Sequence, residues 1–421
     1  PSTGEGTASD MCAAEGQGFG TKSIGFWGGV MLMINNLAGP TVALMPALAQ
    51  ESGWLAMILI MSLLASLSAA CGVLLLYAVR KMPGNKHFTQ RVEFNDLIEH
   101  YLPGLWGKGA MFFYHAYLIL TLMSYVIQSG QTIDYVILDI FGCAPGLEFA
   151  KSPFVCGTQK ESVTPFGSHL TLSSSMVIVA LVCVPLAMMN LDDNIVTQWA
   201  AILGLSAMAV FWAVFMVRQP TFPQPLAAAT SSQGRLIGIL FFNFAFMSAL
   251  PSWLNEKKPE VPVLRTFAVS MTYVVVVYTA IGVLGGLAFR EISTDQNLFS
   301  KLNASGSLAA EITVAAYPIL QNFTSIPVMA ILVRYNLQRS GLKRPLAIFV
   351  AFGVPWLLSI PFYTGRGFSE VSNIGGYITS SVVNFLVPCA LALAARRIAR
   401  AAMGDKDLEA GASEPGASPG Q

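Results

Sequence analysis

The sequence predicts an all-α polytopic membrane protein with ten transmembrane helices, arranged as two five-helix halves in a 5+5 inverted repeat with broken helices 1 and 6. Three observations carry this prediction. Of 421 residues, 54% are hydrophobic and only 11% charged, against roughly 45–50% and about 25% in an ordinary soluble domain. The 24 Lys+Arg and 23 Asp+Glu avoid ten runs: 24–50, 52–79, 109–133, 170–191, 194–217, 236–255, 266–289, 312–333, 345–365 and 371–395. Each run is long enough for the ~20 apolar helical residues that cross a bilayer core of about 30 Å. The first and sixth runs carry backbone-breaking residues in mid-span.

Taken in chain order, residues 1–23 are polar and Gly-rich and predict a disordered cytoplasmic segment; they lack the charged start, short apolar stretch and cleavage site of a signal peptide. A single membrane domain is expected over 24–396. The first run contains Asn35-Asn36-Leu37-Ala38-Gly39-Pro40-Thr41 and then Pro46. Pro40 has no N–H for the helical ladder and its ring clashes one turn back, so the helix should kink or unwind near 36–40. Freed backbone groups in lipid are tolerated where they are buried in protein or line a water-filled cavity. An ordinary Pro kink on a small-residue packing face is the bland alternative.

The third run ends beside Asp134 and Asp139 and leads into a loop holding Cys143 and Cys156, a pair that an oxidising compartment would join as a disulfide. Asp192-Asp193 reads as a polar turn between the fourth and fifth runs. In the sixth run, Phe244-Ala245-Phe246-Met247-Ser248-Ala249-Leu250-Pro251 repeats the break of the first. Asn303-Ala304-Ser305 is a glycosylation sequon in a loop, whereas Asn322-Phe323-Thr324 fits the pattern inside a span and should be inaccessible. Residues 397–421 predict a disordered cytoplasmic tail, since their Gly/Ala/Ser/Pro/Glu-rich end cannot bury enough apolar surface to fold.

Breaks five helices apart, in a chain of ten, are the arithmetic of two five-helix halves. Five is odd, so the second half enters from the opposite side, which is the inverted repeat of secondary transporters with a midplane site at the discontinuous helices. Placing the N-terminus inside puts 17 of the 24 Lys+Arg on the inner side and 7 on the outer, as cytoplasmic loops require. Both termini are therefore expected in the cytoplasm, with Cys143, Cys156 and Asn303 outside. A plasma membrane or an endolysosomal or vacuolar membrane would suit such a chain.

Other function classes find little support. The four histidines have no helical i, i+4 pairing, no second acidic motif faces Asp192-Asp193, and neither a GxSxG nor a P-loop pattern occurs. A net charge of +1 and the lack of an aromatic-interleaved basic cluster argue against nucleic acid. A channel would favour charge rings or a repeated filter loop.

Asn35 and Gly39 followed by Pro46-Ala47 and Gly53-Trp54, Phe244-Ala245-Phe246 with Pro251, Trp253 and Glu256, and Thr324-Ser325-Ile326-Pro327 with Arg334 together resemble the amino acid/auxin permease family. That family lies in the amino acid-polyamine-organocation superfamily, and the resemblance spans residues 24 to 396. It implies the leucine-transporter-type fold and coupled movement of amino acids. Thr41 stands where the family usually has a second Gly, and the His often found after Phe-Ala-Phe is missing. The Asp-Pro-Gly-Asn run of the related metal-ion transporters is absent.

An amino acid zwitterion could be held by Ala38, Gly39, Pro40 and Thr41, whose side of the break offers N–H groups to a carboxylate. Phe246, Met247, Ser248 and Ala249 would take the ammonium on carbonyls and a hydroxyl. Tyr114 and Tyr117 are candidates for the pocket wall. Asn35, Thr324 and Ser325 form a candidate Na⁺ site, since oxygen ligands suit a hard cation; the alternative is that the hydroxyls bond back one turn. Proton coupling would point instead to His115, Asp134 or Asp139. No organic cofactor and no metal beyond Na⁺ is expected. An amino acid sensor of the same fold, or a transporter of another small organic solute, is the competing function.

Overall fold

The computed structural model describes residues 20–149, 154–159, 164–167, 169–292, 297–364, 371 and 378–412. The expectation of disorder for 1–19 and for 413–421 lies outside them. Gly20 to Ser23, assigned by sequence to the N-terminal segment, are held by hydrogen bonds: the Gly20 N–H donates to Tyr335 Oη (3.2 Å), and Ser23 Oγ donates to Asp192 Oδ2 (3.0 Å). At the other end the last helix continues to Ala412, past the boundary at 396.

Helices account for nearly every described element. The first run is α1 (Phe26–Leu37), a 3-10 turn (Pro40–Leu44) and α2 (Met45–Ser52). Then come α3 (Trp54–Lys81), the short α4 (Phe94–Tyr101) and α5 (Leu105–Phe141). Seven of the described helices are long and apolar enough to cross a membrane, and α1 with α2 forms an eighth span bent by 54°. The fourth and sixth runs give shorter helices: α6 (Ser174–Met188), and α8 (Gly234–Asn243) with α9 (Leu250–Glu256). Between these lies α7 (Ile195–Val217). The second half continues with α10 (Val263–Ala288), α11 (Leu298–Asn303) and α12 (Leu308–Arg339). The chain is thus an integral, multi-pass membrane protein.

An all-helical reading needs one correction. Between α5 and α6, β1 (Ala144–Glu148), β2 (Val155–Gly157) and β3 (Thr171–Ser173) form an antiparallel sheet in the order β2-β1-β3. Gly142, at a left-handed φ of 74°, ends α5 and donates its N–H to the Leu138 carbonyl at 2.8 Å; this is the Gly stop that an L-side chain would strain. Beyond it Pro145 cannot sustain a helix, and the extended segments satisfy each other's backbone, with Pro145 opposite Cys156 and Leu147 opposite Leu172. Cys143 and Cys156 are consequently neighbours, Cα atoms 5.5 Å apart.

Helix α12 is the centre of the bundle. In its most apolar stretch 78% is buried, against 28% in α7, so α7 shows most of its surface to lipid. It lies against α5, α6 and α7 and touches α1, which explains why a helix with Gln321, Asn322, Thr324 and Ser325 in mid-span is tolerated: in the interior of a bundle these groups find partners.

Candidate functional site

Both expected breaks exist, and the first falls where Pro40 removes a donor from the ladder. Helix α1 ends at Leu37, Ala38 leaves helical geometry (ψ 62°), and Gly39 is extended before Pro40 opens the 3-10 turn. Helix α8 ends at Asn243, Phe244 turns out (ψ 40°), and a 3-10 turn at Met247–Ala249 leads into α9, with Pro251 in its first turn. A proline suits a helix's first turn, where its missing N–H has no intrahelical partner.

The carbonyls released by the breaks are held by side chains from other helices. Tyr278 Oη donates to the carbonyls of Leu37 (3.4 Å) and Gly39 (3.1 Å), and Tyr317 Oη to Gly39 (3.2 Å). Ser68 Oγ donates to the Phe244 carbonyl at 2.6 Å, and the Met247 N–H donates to Asn384 Oδ1 at 3.0 Å. The turn from Phe246 to Ala249 is therefore less open than its sequence suggests. Phe246 O already accepts from the Ala249 N–H (3.1 Å), Met247 O from Leu250, and Ser248 O from Tyr114 Oη at 3.5 Å.

The two breaks meet through Thr41, whose hydroxyl donates to Asn243 Oδ1. Beside this contact is a small cavity lined by Asn36, Gly39, Tyr117, Thr121, Asn243 and Ala245, among others. A Cβ placed on Gly39 would meet only Asn243 Oδ1, at 3.5 Å. Asn243 Nδ2 is buried without a hydrogen-bond partner, and such a group is costly unless something pairs with it; the Thr121 and Ser248 hydroxyls lie beside that of Tyr117. Gly39 and Tyr117 border the cavity. Ala38, Thr41 and Phe246 to Ala249 are packed around it rather than along its wall, and Tyr114 bonds instead to Ser248 O and Asn336. Asn243, Thr121 and Ala245 were not foreseen; an Asn at the break of the sixth run, one residue before Phe244-Ala245-Phe246, was the available signal.

Asn35, Thr324 and Ser325 are brought together, in company that sequence did not predict. Asn35 Nδ2 donates to Thr324 Oγ1 (3.0 Å) and to Gln198 Oε1 (2.5 Å). Gln321 Nε2 donates to the Asn35 carbonyl (3.0 Å) and to Ser325 Oγ (3.3 Å). Both hydroxyls also bond back one turn: Thr324 Oγ1 to Leu320 O at 2.8 Å and Ser325 Oγ to Gln321 O at 2.8 Å.

The proton candidates are separate from both clusters. Asp134 is fully buried, its Oδ2 accepting from the Tyr363 hydroxyl. His115 bonds its own helix through Nδ1 and Met111 O (2.9 Å), and Asp139 is exposed. Asn303 is exposed at the end of α11, while Asn322 is fully buried and donates to Gln128.

At one end of the bundle a polar network was missed by sequence. Arg91 lies 3.4 Å from Glu93 and 3.7 Å from Glu256. Glu93 also accepts from Ser252 Oγ (2.5 Å) and Asn255 Nδ2 (2.8 Å). Burial pushes the Glu93 carboxyl above its ordinary value, against the opposing pull of Arg91, Ser252 and Asn255. Asp192 is more than a turn residue: besides Ser23 it accepts from the Thr21 N–H and hydroxyl (3.1 and 2.9 Å), and its own N–H donates to Glu256 Oε2 (2.9 Å). These groups converge from distant stretches of chain, which no local motif announces.

Comparison with known proteins agrees with this geometry. The family described as "Transmembrane amino acid transporter protein" matches residues 22–401. A curated relative, "Transmembrane protein 104 homolog" from Caenorhabditis briggsae, is 20% identical over 436 residues, covering 89% of this chain and 88% of that protein. Among solved structures, MhsT in complex with L-phenylalanine superposes with a TM-score of 0.60 at 14% identity, over 88% of this chain and 95% of that one. At this identity the likeness concerns the fold, which is of the leucine-transporter type.

Proposed function

Because the chain belongs to the transmembrane amino acid transporter family, we propose that it is a secondary active transporter which moves amino acids across its membrane by alternating access, coupled to Na⁺ or H⁺. The observation that carries this reading is the junction of the two breaks. Gly39 and Asn243 border one cavity, where Asn243 Nδ2 is buried without a partner and the hydroxyls of Thr121 and Ser248 gather beside Tyr117. A zwitterion supplies both acceptors and donors for such groups without a charged side chain in the bilayer core. The Asn243 amide would meet the carboxylate, and the hydroxyls of Thr121 and Ser248 the ammonium, with Ala38 to Thr41 and Phe246 to Ala249 as the hinges around it.

In this reading the helical elements make ten passes in two inverted halves, α6 and α8–α9 being the short fourth and the broken sixth. Both termini are cytoplasmic, and Cys143, Cys156 and Asn303 lie outside, the two cysteines joined as a disulfide and Asn303 glycosylated. The cluster of Asn35, Thr324 and Ser325 is the place on which sodium coupling rests, and Asp134 the group on which proton coupling rests.

The deciding experiment is counterflow of a panel of labelled amino acids into proteoliposomes, with and without Na⁺ and a pH gradient. Exchange of at least one amino acid, saturable and competed by unlabelled substrate, is expected. Specific binding without flux of any member would instead favour a sensor of the same fold.

A further inference from the structure

We propose that the Gln321 carboxamide takes the place of a metal cation between α1 and α12, so that the joint between the first broken helix and the eighth closes without sodium. The inference narrows the coupling part of the proposed function and rests on that reading.

Oxygen atoms of two kinds converge at this joint. One is the Asn35 main-chain carbonyl, among the last of α1 and freed from the ladder where the helix breaks; the other is the Ser325 hydroxyl on α12. A carbonyl from a broken helix and a hydroxyl from a neighbour are what a hard cation would be offered. Here Gln321 Nε2 donates to both, at 3.0 and 3.3 Å. One shell further, the Gln198 amide from α7 does the same work: its Nε2 donates to the Thr324 carbonyl at 3.1 Å, and its Oε1 accepts from Asn35 Nδ2 at 2.5 Å. The amide protons thus pair acceptors from three helices, among them the Asn35 carbonyl, which the broken ladder leaves without its helical donor.

Charge and burial point the same way. Asn35 is 1% exposed and Gln198 and Gln321 are 0% exposed, and among the described residues no ionised side chain hydrogen-bonds to any member of the cluster. A cation here would have no countercharge, and its desolvation would be offset only by neutral dipoles. A tethered amide carries no net charge to desolvate and loses no translational freedom on binding. Two oxygens remain, Asn35 Oδ1 and Gln321 Oε1, with no hydrogen-bond partner. Rotating the Gln321 amide by half a turn would aim Oε1 at the Asn35 carbonyl, two acceptors that stay together only with a cation between them. The amide orientation and the presence of sodium are therefore alternatives, and experiment separates them.

The test combines transport with a readout that does not need transport. Purified chain and the Gln321→Ala variant are heated in NaCl, KCl and choline chloride, and uptake of the panel's best substrate is measured in the same salts at one pH. For the unmodified chain, the melting temperature should be equal in the three salts, and uptake should agree within about twofold. Gln321→Ala should lose about tenfold in uptake in choline, because two acceptors are left bare, and should recover melting temperature and uptake selectively in NaCl. Saturable sodium dependence of the unmodified chain would overturn the proposal. So would a folded Gln321→Ala variant that behaves alike in all three salts. Should that variant not fold, Gln321→Glu decides: its carboxylate should confer selective stabilisation by NaCl, and indifference to salt overturns the proposal. If no amino acid moves in any salt while the melting pattern holds, the transport reading fails and the surrogate cation stands.

Discussion

Gly39 is where a single residue should separate binding from folding. Its Cβ position meets one atom at ordinary contact distance, so Gly39→Ala should fold and keep part of its uptake. Gly39→Leu would send its branch into the cavity beside Asn243 and should abolish uptake with little change in melting temperature; unchanged kinetics in the Leu variant would move the substrate site elsewhere. Arg334 has a different task. Fully buried, it donates to the carbonyls of Ala187, Met188 and Met189 and to Asn190 Oδ1, at 2.8–3.2 Å. Those carbonyls close the end of α6, so Arg334→Leu should cost roughly 2–4 kcal/mol, the price of several unpaired buried acceptors. The reading is a melting temperature lowered by several degrees.

Glu93 gives a pH dependence whose sign is fixed. Its carboxyl titrates higher in the folded chain than in an exposed one because it is buried, although Arg91, Ser252 and Asn255 pull it down and Asp96 adds to the rise. A raised folded-state value means that the proton is held more tightly when folded. The associated stability is full below the ordinary carboxylate range and is lost as pH rises through the raised value. Melting temperatures of the unmodified chain should fall over that range relative to Glu93→Gln, which has no such proton to lose; parallel curves for the two proteins would exclude this role for Glu93.

At the scale of elements, each break is a pairing of a sequence defect with a remote repair. Pro40 explains why the first ladder stops and Pro251 sits where the second helix restarts, and their positions could be read directly. What keeps the stopped helix in the bilayer is the set of hydroxyls from Ser68, Tyr278 and Tyr317 on α3, α10 and α12. Tyr278→Phe and Tyr317→Phe each remove one donor to the same Gly39 carbonyl, so either alone should be mild and the double variant should lose more uptake than the two singly. Additive losses would indicate that they do not share that acceptor. Close approach matters as well: a Cβ at Gly29 would lie 2.8 Å from the Trp253 indole nitrogen. Gly29→Ala should therefore force α1 and α9 apart, at about 1–3 kcal/mol, visible as a lower melting temperature.

For the whole molecule, the testable property is orientation. The asymmetry of Lys and Arg predicts that tags at either end are cytoplasmic and that Asn303, exposed at the end of α11, carries a glycan when made in a eukaryotic secretory pathway. A glycosidase-sensitive mobility shift that disappears in Asn303→Gln is the expected result, and a C-terminal tag accessible from outside intact cells would reverse the topology.

The sequence by itself determined that the chain lives in a membrane, where most of its long apolar helices fall, and that the first and sixth runs are interrupted. The reason is that hydropathy, missing charge and missing N–H groups are local properties, and in lipid they leave a segment almost no other structure to adopt. It also singled out Asn35, Thr324 and Ser325 as a group, through a spacing shared with a known family. Which atoms then face one another was decided only by tertiary packing. Gln198 lies 163 residues from Asn35 and Gln321 lies 286 away, and neither belongs to a motif. The short sheet between α5 and α6, the strap of Gly20 to Ser23 and the Arg91–Glu93–Glu256 network arose in the same way. Buried polar groups must be paired, but a sequence does not say by which distant partner; that choice is made when the helices close around α12.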